Sequence, residues 1–307
     1  MDPVPAQIPS ADSAIERLVG WLMIKTSDAT LNWSFADRRR LFARLMAHAW
    51  GPMLGWPGAI SQTLTLVRPD LDPAARRRLA RRAARHAGEG LAELLCPKDF
   101  AQVLRNTPIK GPGVAAMKTA AKADRGVLLV TAGLGHPDAL MAALALRGLP
   151  VARQSPPSTQ SLLDHRIAAA RAALGGVHLP AGAAGAQAFE AHIAKGGFGV
   201  IRADDPDTAG TPVRLFGARV RAPRLPAAIA LRHHAELIPA FALKRPNGRY
   251  GIWMAASIAH ARPDEMLQAF QDSLESVVAG YMDQFFWAEP RWQPERYLSC
   301  AAPSTGP

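Results

Sequence analysis

Residues 125–152 read RGVLLVTAGLGHPDALMAALALRGLPVA, and the order of residue types in that stretch sets the class of fold. Val127 to Val130 is an unbroken apolar run, short enough for a strand buried on both faces. It passes into a glycine-bearing turn and resumes as a helix rich in alanine and leucine that opens near Pro137. Downstream, strands are expected at 150–153, 177–179, 198–203, 236–243 and 250–256. Helices are expected near 137–147, 157–174, 184–195 and 224–234. A last helix opens at Pro263-Asp264-Glu265 and carries Met266, Ala269, Phe270, Leu274, Val277, Val278, Tyr281 and Phe285 on one face. Alternation of this kind implies an α/β fold with a central mixed, largely parallel sheet flanked by helices.

Upstream of that alternation the chain reads as a helical annex. Residues 13–24 place Ile15, Leu18, Val19, Leu22 and Met23 at helical spacing, and residues 39–50 continue the pattern. Trp50 and Trp56 suit either core packing or a membrane interface. At RPDLDPAARRRLARRAARHAGEGLAELL, Asp72 caps a helix whose first residue is Pro73 and which runs to about Leu95. Leu79, Ala83, Ala87, Leu91 and Leu94 make its buried stripe. Arg76, Arg77, Arg78, Arg81, Arg82 and Arg85 fill the rest, as a solvated face or as a receiver of phosphates or of an acidic protein. The expected organisation is a disordered lead (1–12), a helical region (13–110), the α/β domain (111–295) and a flexible tail (296–307).

Composition narrows the class. Of 307 residues 49% are hydrophobic and 20% charged, a globular balance that excludes a disordered or fibrous chain. Two cysteines, Cys96 and Cys300, cannot build a disulfide framework or a four-thiolate metal site, and no metal is expected. No run approaches the roughly 20 apolar residues of a spanning helix, so a cytoplasmic chain is expected, either soluble or peripheral on the inner face of the plasma membrane. The net charge of +11 suits an acidic protein or an anionic membrane surface. Nucleic acid is not expected, because no recognition module accompanies the charge.

Neither GxGxxG after a strand, nor GxxxxGK[ST], nor GxSxG is present, which removes nucleotide cradles and the usual serine-hydrolase elbow. The adjacent His233 and His234 point about 100° apart on a helix and do not share a metal. The informative pair is His136 with Asp138, at the carboxyl edge of the sheet where α/β proteins place ligands. It reads either as an oriented general base or as a helix cap beside a surface histidine.

The same stretch resembles the late acyltransferases of lipid A biosynthesis, in the lysophospholipid acyltransferase superfamily, whose signature is approximately TGHxGNWE. The resemblance extends to ISQTLTLVRPDLDPAARRRLARRAARHAGEGLAELL, to LFGARVRAPRLPAAIALRHHAELIPAFALKR and to the closing Gln284-Phe285-Phe286-Trp287 with Arg291-Trp292. It covers about residues 55–293 in order. It implies a donor that is an acyl-carrier-protein or coenzyme A thioester, with no separate cofactor.

The departures bear on mechanism. Gly133 stands where the family has its catalytic histidine, and Asp138 where it has the acid. His136 sits three residues on, about one helical turn or 5 Å away, too far to replace a base that works at about 3 Å unless the turn is rebuilt. The family's Arg-Pro appears as Ser155-Pro156 with Arg153 nearby, and its Asp-Gln as Asp204-Asp205. These aspartates read as a wall of the site or as a capping turn. Arg219 and Arg221 follow Phe216-Gly217 in a block resembling the family's phosphate- or carrier-contacting loop, or are plain loop charges. The expected site is therefore His136 and Asp138 as the catalytic pair. Thr131, Gly133, Gly135, Arg153, Asp204, Asp205, Arg219 and Arg221 are expected around the substrate, with main-chain amides of the turn holding the oxyanion. The expected function is transfer of an acyl chain to an amine, thiol or hydroxyl acceptor other than lipid A, in specialised metabolism. The other reading is a catalytically silent relative that binds an acyl chain, a carrier or a partner enzyme.

Overall fold

The apolar run at 127–131 becomes the middle strand of a seven-stranded sheet in the computed structural model, which describes residues 14–155, 161–205, 207, 209–289 and 291–292. In chain order the strands are β1 (Ile109–Lys110), β2 (Val127–Thr131), β3 (Val151–Gln154), β4 (Val177–Leu179), β5 (Phe198–Arg202), β6 (Thr211–Leu215), β7 (Ala218–Ala222), β8 (Glu236–Lys244) and β9 (Tyr250–Met254). Around them lie α1 (Ala14–Ala29), α2 (Phe35–Leu45), α3 (Gly51–Met53), α4 (Trp56–Val67), α5 (Pro73–Leu94), α6 (Pro97–Leu104) and α7 (Gly113–Lys122). These are followed by α8 (Pro137–Ala145), α9 (Leu162–Leu174), α10 (Ala183–Ala194), α11 (Leu225–Arg232) and α12 (Pro263–Val278). The sheet order is β1-β9-β8-β2-β5-β3-β4. β8, β2, β5, β3 and β4 run parallel, and β9 pairs antiparallel with β8. This is the expected α/β architecture with its N-terminal helices.

β2 carries Val127, Leu128, Leu129 and Val130, all buried, because both its faces are covered. Leu128 and Val130 enter one core with Phe189, Ile193, Phe241 and Phe270. Val127 and Leu129 enter the other with Phe100, Leu104, Leu140 and Leu144. Each such side chain contributes about 1.5–3 kcal/mol on burial. The helix starts follow local chemistry: Asp72 accepts from the Ala75 N–H at 2.7 Å and Ser161 from the Asp164 N–H at 3.1 Å.

α5 crosses α2 at Gly88, where a Cβ would come within 2.4 Å of the Phe42 carbonyl oxygen, so only glycine permits that approach. Its buried face is wider than the expected stripe. Ala80, Ala84, Gly88 and Ala92 join Leu79 and Ala83, while Ala87 and Leu91 are half-buried. Trp50 packs in the core, edge-on to Phe42 at 5.2 Å, which settles its place away from any interface.

Several elements differ from expectation, among them the unforeseen helices α4, α6 and α7. The hairpin β6–β7 and the two-residue β1 were not foreseen. α12 stops at Val278, so Tyr281 and Phe285 lie beyond it, and Phe285 belongs to a strap formed by residues 282–289 with 291–292. The expected lead and tail, and positions 156–160 at the start of the expected 157–174 helix, lie outside the described residues.

Candidate active site

The turn between β2 and α8 is held by backbone hydrogen bonds at Gly133, Gly135 and His136. The Gly133 N–H donates to Asp204 Oδ2 at 2.8 Å, and the Phe286 N–H donates to the Gly133 carbonyl at 2.8 Å. The Gly135 N–H donates to the Gln284 carbonyl and the His136 N–H to the Ala242 carbonyl, each at 2.9 Å. Gly135 has φ 66°, and a Cβ there would lie 2.0 Å from the Ala242 oxygen, so the turn is pressed against β8. Amides that already donate within the fold are not free for a tetrahedral oxyanion. The Gly133, Gly135 and His136 amides therefore do not serve the oxyanion role expected of this turn.

His136 occupies the cap position of α8 with its ring buried. The ring centroid lies 4.9 Å from that of Phe100 and 6.0 Å from that of Tyr250, and Nε2 is 3.1 Å from the Gly90 carbonyl. Burial lowers its pKa, outweighing the Asp138 and Glu93 carboxylates that pull the other way. Asp138 is equally committed. It pairs with Arg153, and accepts from Arg171 Nε at 2.8 Å and Nη2 at 3.2 Å. Burial alone would raise Asp138, but the Arg153 and Arg171 guanidiniums outweigh it and hold the carboxyl well below the usual carboxylate range. The imidazole and the carboxylate therefore bond to different partners. The expected oriented His–Asp base is not assembled, and Arg153 meets Asp138 rather than open space.

A second ionic cluster fills the space that a side chain at position 133 would enter. A Cβ on Gly133 would lie 2.9 Å from Arg291 Nη2, 3.3 Å from Arg202 Nη2 and 3.4 Å from Asp204 Oδ2. Arg291 pairs with Asp204 and Glu289, and its Nε donates to the Asp204 carbonyl at 2.9 Å. Arg202 Nη2 reaches Glu289 at 2.8 Å, Asp205 at 3.0 Å and Asp204 at 3.1 Å. Burial would raise Asp204, but Arg202 and Arg291 hold it down. Burial, with Asp204 and Glu289 alongside, pushes Asp205 up to about 6, although water reaches 48% of that side chain and damps the effect. Asp204 thus contacts the Gly133 turn, and Asp205 meets Arg202 of the same cluster.

Thr131, in register with Arg202, buries a hydroxyl that has no hydrogen-bond partner among the described residues. Arg221 donates to the Gly210 carbonyl at 3.0 Å within the hairpin, and Arg219 stands opposite Arg214. The hairpin tip Phe216 meets the strap, with centroids 5.4 Å from Trp287 and 6.1 Å from Phe285.

Sequence reasoning missed Arg171, Arg202, Glu289 and the position of Arg291, together with a buried network behind His136. There Glu93 accepts from Tyr250 Oη at 2.6 Å and lies 2.8 Å from Lys244 Nζ and 2.9 Å from Arg39 Nε. Lys244 also reaches Glu89 at 2.8 Å. Among the described residues no group of three His, Cys, Asp or Glu side chains is placed to hold a metal ion. Burial raises the Cys96 thiol, which makes it unreactive.

His86, whose Nε2 lies 3.2 Å from the Gly135 carbonyl, is lowered to about 4 by burial, then by Lys244. An unfolded chain takes up a proton on this ring near pH 6.5 that the fold refuses, so stability falls as pH drops from about 6.5 to 4. Thermal unfolding midpoints are expected to decrease across that window, and His86→Gln to flatten the decrease. A midpoint constant from pH 7 to 4.5 contradicts this.

Comparison with known proteins adds one match. A family model for bacterial lipid A biosynthesis acyltransferase matches residues 20–294. A search of curated proteins finds no match.

Proposed function

Because the chain belongs to the bacterial lipid A biosynthesis acyltransferase family, we propose that it transfers acyl groups at the carboxyl edge of its sheet without the family's imidazole base. Acyl transfer is the coarse function that membership carries. The finer reading concerns the acceptor. One observation supports it: at Gly133, where a base would emerge, stand two guanidiniums and three carboxylates already paired with one another. A hydroxyl needs a base to become a nucleophile, whereas a neutral amine or a thiolate attacks a thioester directly. The donor is an acyl-carrier-protein or coenzyme A thioester. The acceptor nitrogen or sulfur bonds to the carbonyl carbon, the carbon–sulfur bond breaks, and the donor leaves as its thiolate. The proton shed by an amine passes to water or to Asp205, the carboxylate of the cluster with a raised pKa and an exposed edge.

No helix of the described residues is long and apolar enough to cross a membrane. Contact with an anionic bilayer is supported by α1, where Ile15, Leu18 and Trp21 are exposed and Lys25 lies 5.8 Å from the Trp21 ring.

The turn amides favour a second reading, a member that binds the acyl group or its carrier and does not turn it over. Mass spectrometry of the protein with a dodecanoyl carrier protein and amine, thiol and hydroxyl acceptors separates the two. Acyl-amine or acyl-thiol product is expected. Binding with the thioester intact in every mixture overturns transfer and leaves the binding role.

A further inference from the structure

One face of α5 is a comb of arginines with little to neutralise it. Arg77, Arg78, Arg81, Arg82 and Arg85 are all exposed. Arg77, Arg81 and Arg85 recur every four residues, as do Arg78 and Arg82, so the five form a double row about 12 Å long. Arg82 lies 3.9 Å from Asp283, and the described residues give the other four no salt bridge. Asp72, at the cap of the helix, is a countercharge to Arg78 and Arg77 at one end of the comb.

The position of this face matters as much as its charge. The next turn of the same helix carries His86, against Gly135, and Gly90, whose carbonyl meets His136. Asp283, which Arg82 approaches, sits at the start of the strap that closes the Gly133 turn. The comb therefore ends beside the candidate active site.

From this we infer that the arginine face of α5 docks an acidic helix of the carrier protein that delivers the acyl thioester. The inference rests on the acyl-thioester reading above. Charge complementarity selects an anionic partner. Between the arginines, Leu79, Ala80, Ala83 and Ala84 all point into the core, so the face offers nothing apolar to enter a bilayer, unlike α1. It also carries no aromatic ring on which a nucleic-acid base would stack. A guanidinium row with four-residue spacing fits carboxylates repeated at the same spacing on a facing helix.

The test compares the wild-type chain with Arg78→Glu/Arg82→Glu and with Arg77→Gln/Arg81→Gln/Arg85→Gln, which keeps helical propensity and guards against misfolding by charge reversal. Binding is measured to a dodecanoyl acyl carrier protein, to dodecanoyl pantetheine and to phosphatidylglycerol vesicles. Both variants are expected to lose carrier affinity at least about tenfold, with the salt dependence reduced, and to keep the affinity for dodecanoyl pantetheine. Carrier affinity equal to wild type, or a loss confined to vesicles, overturns the assignment. A wild type that binds dodecanoyl pantetheine but not the carrier also overturns it while leaving the acyl-thioester reading in place. A wild type that binds neither thioester removes that reading.

Discussion

Asp204→Ala is expected to destabilise the fold by about 3–5 kcal/mol, the usual cost of leaving a buried charge without its partner. The Asp204 side chain is fully buried, pairs with Arg291 and Arg202, and accepts the Gly133 N–H. Removing it leaves the Arg291 guanidinium, 2% exposed, with Glu289 as its carboxylate partner, and it orphans a backbone donor at the turn. Urea titration with an unchanged slope and a midpoint lowered accordingly is the expected readout. The pH dependence gives a second signature. Asp204 has a folded pKa below its ordinary value of 3.8, so its contribution is present above that pH and is lost as pH falls through the folded value. The acid limb of the wild-type stability curve is therefore shallower in the variant. A loss under about 1 kcal/mol contradicts the paired, buried cluster.

Gly133→His is expected to fail as a repair. By spacing alone it restores the family's histidine five residues before Asp138. In the fold, its Cβ starts 2.9 Å from Arg291 Nη2, so the paired guanidiniums of Arg291 and Arg202 must shift to admit it. Overpacking of this kind costs about 1–3 kcal/mol, and the Asp138 oxygens that would orient a new imidazole are held by Arg153 and Arg171. The variant is expected to melt lower than wild type and to gain no acylation of hydroxyl acceptors. A gain of tenfold or more in hydroxyl transfer shows that the Gly133 space is open and the cluster movable.

The β2–turn–α8 unit was legible because strand and helix there differ in hydrophobic period, and glycine and proline mark the break between them. The Asp72 cap and the end of α5 were legible for the same local reason. The β6–β7 hairpin escaped because Pro212 interrupts its first strand and its two-residue turn, Phe216-Gly217, places a phenylalanine at positive φ. Of the site, the loss at Gly133 and the acidic pair at 204–205 could be seen by comparison with a family pattern. The partners could not. Arg291 meets Asp204 from 87 positions away and Arg171 meets Asp138 from 33, and local sequence patterns do not encode such registers. His136 was misleading for a related reason: an imidazole at a helix start reads as chemistry, while Phe100 and Tyr250, which enclose it, are contributed by α6 and β9.

The base-free centre is tested most directly by following dodecanoyl thioester consumption with a hydroxyl acceptor and with a primary amine, in wild type and in His136→Phe. The expected result is product with the amine alone, at a rate that His136→Phe changes by no more than about twofold, because the ring packs between aromatics and abstracts no proton. Acyl ester formed by the wild type and abolished by His136→Phe contradicts the account, since the imidazole would then be the base.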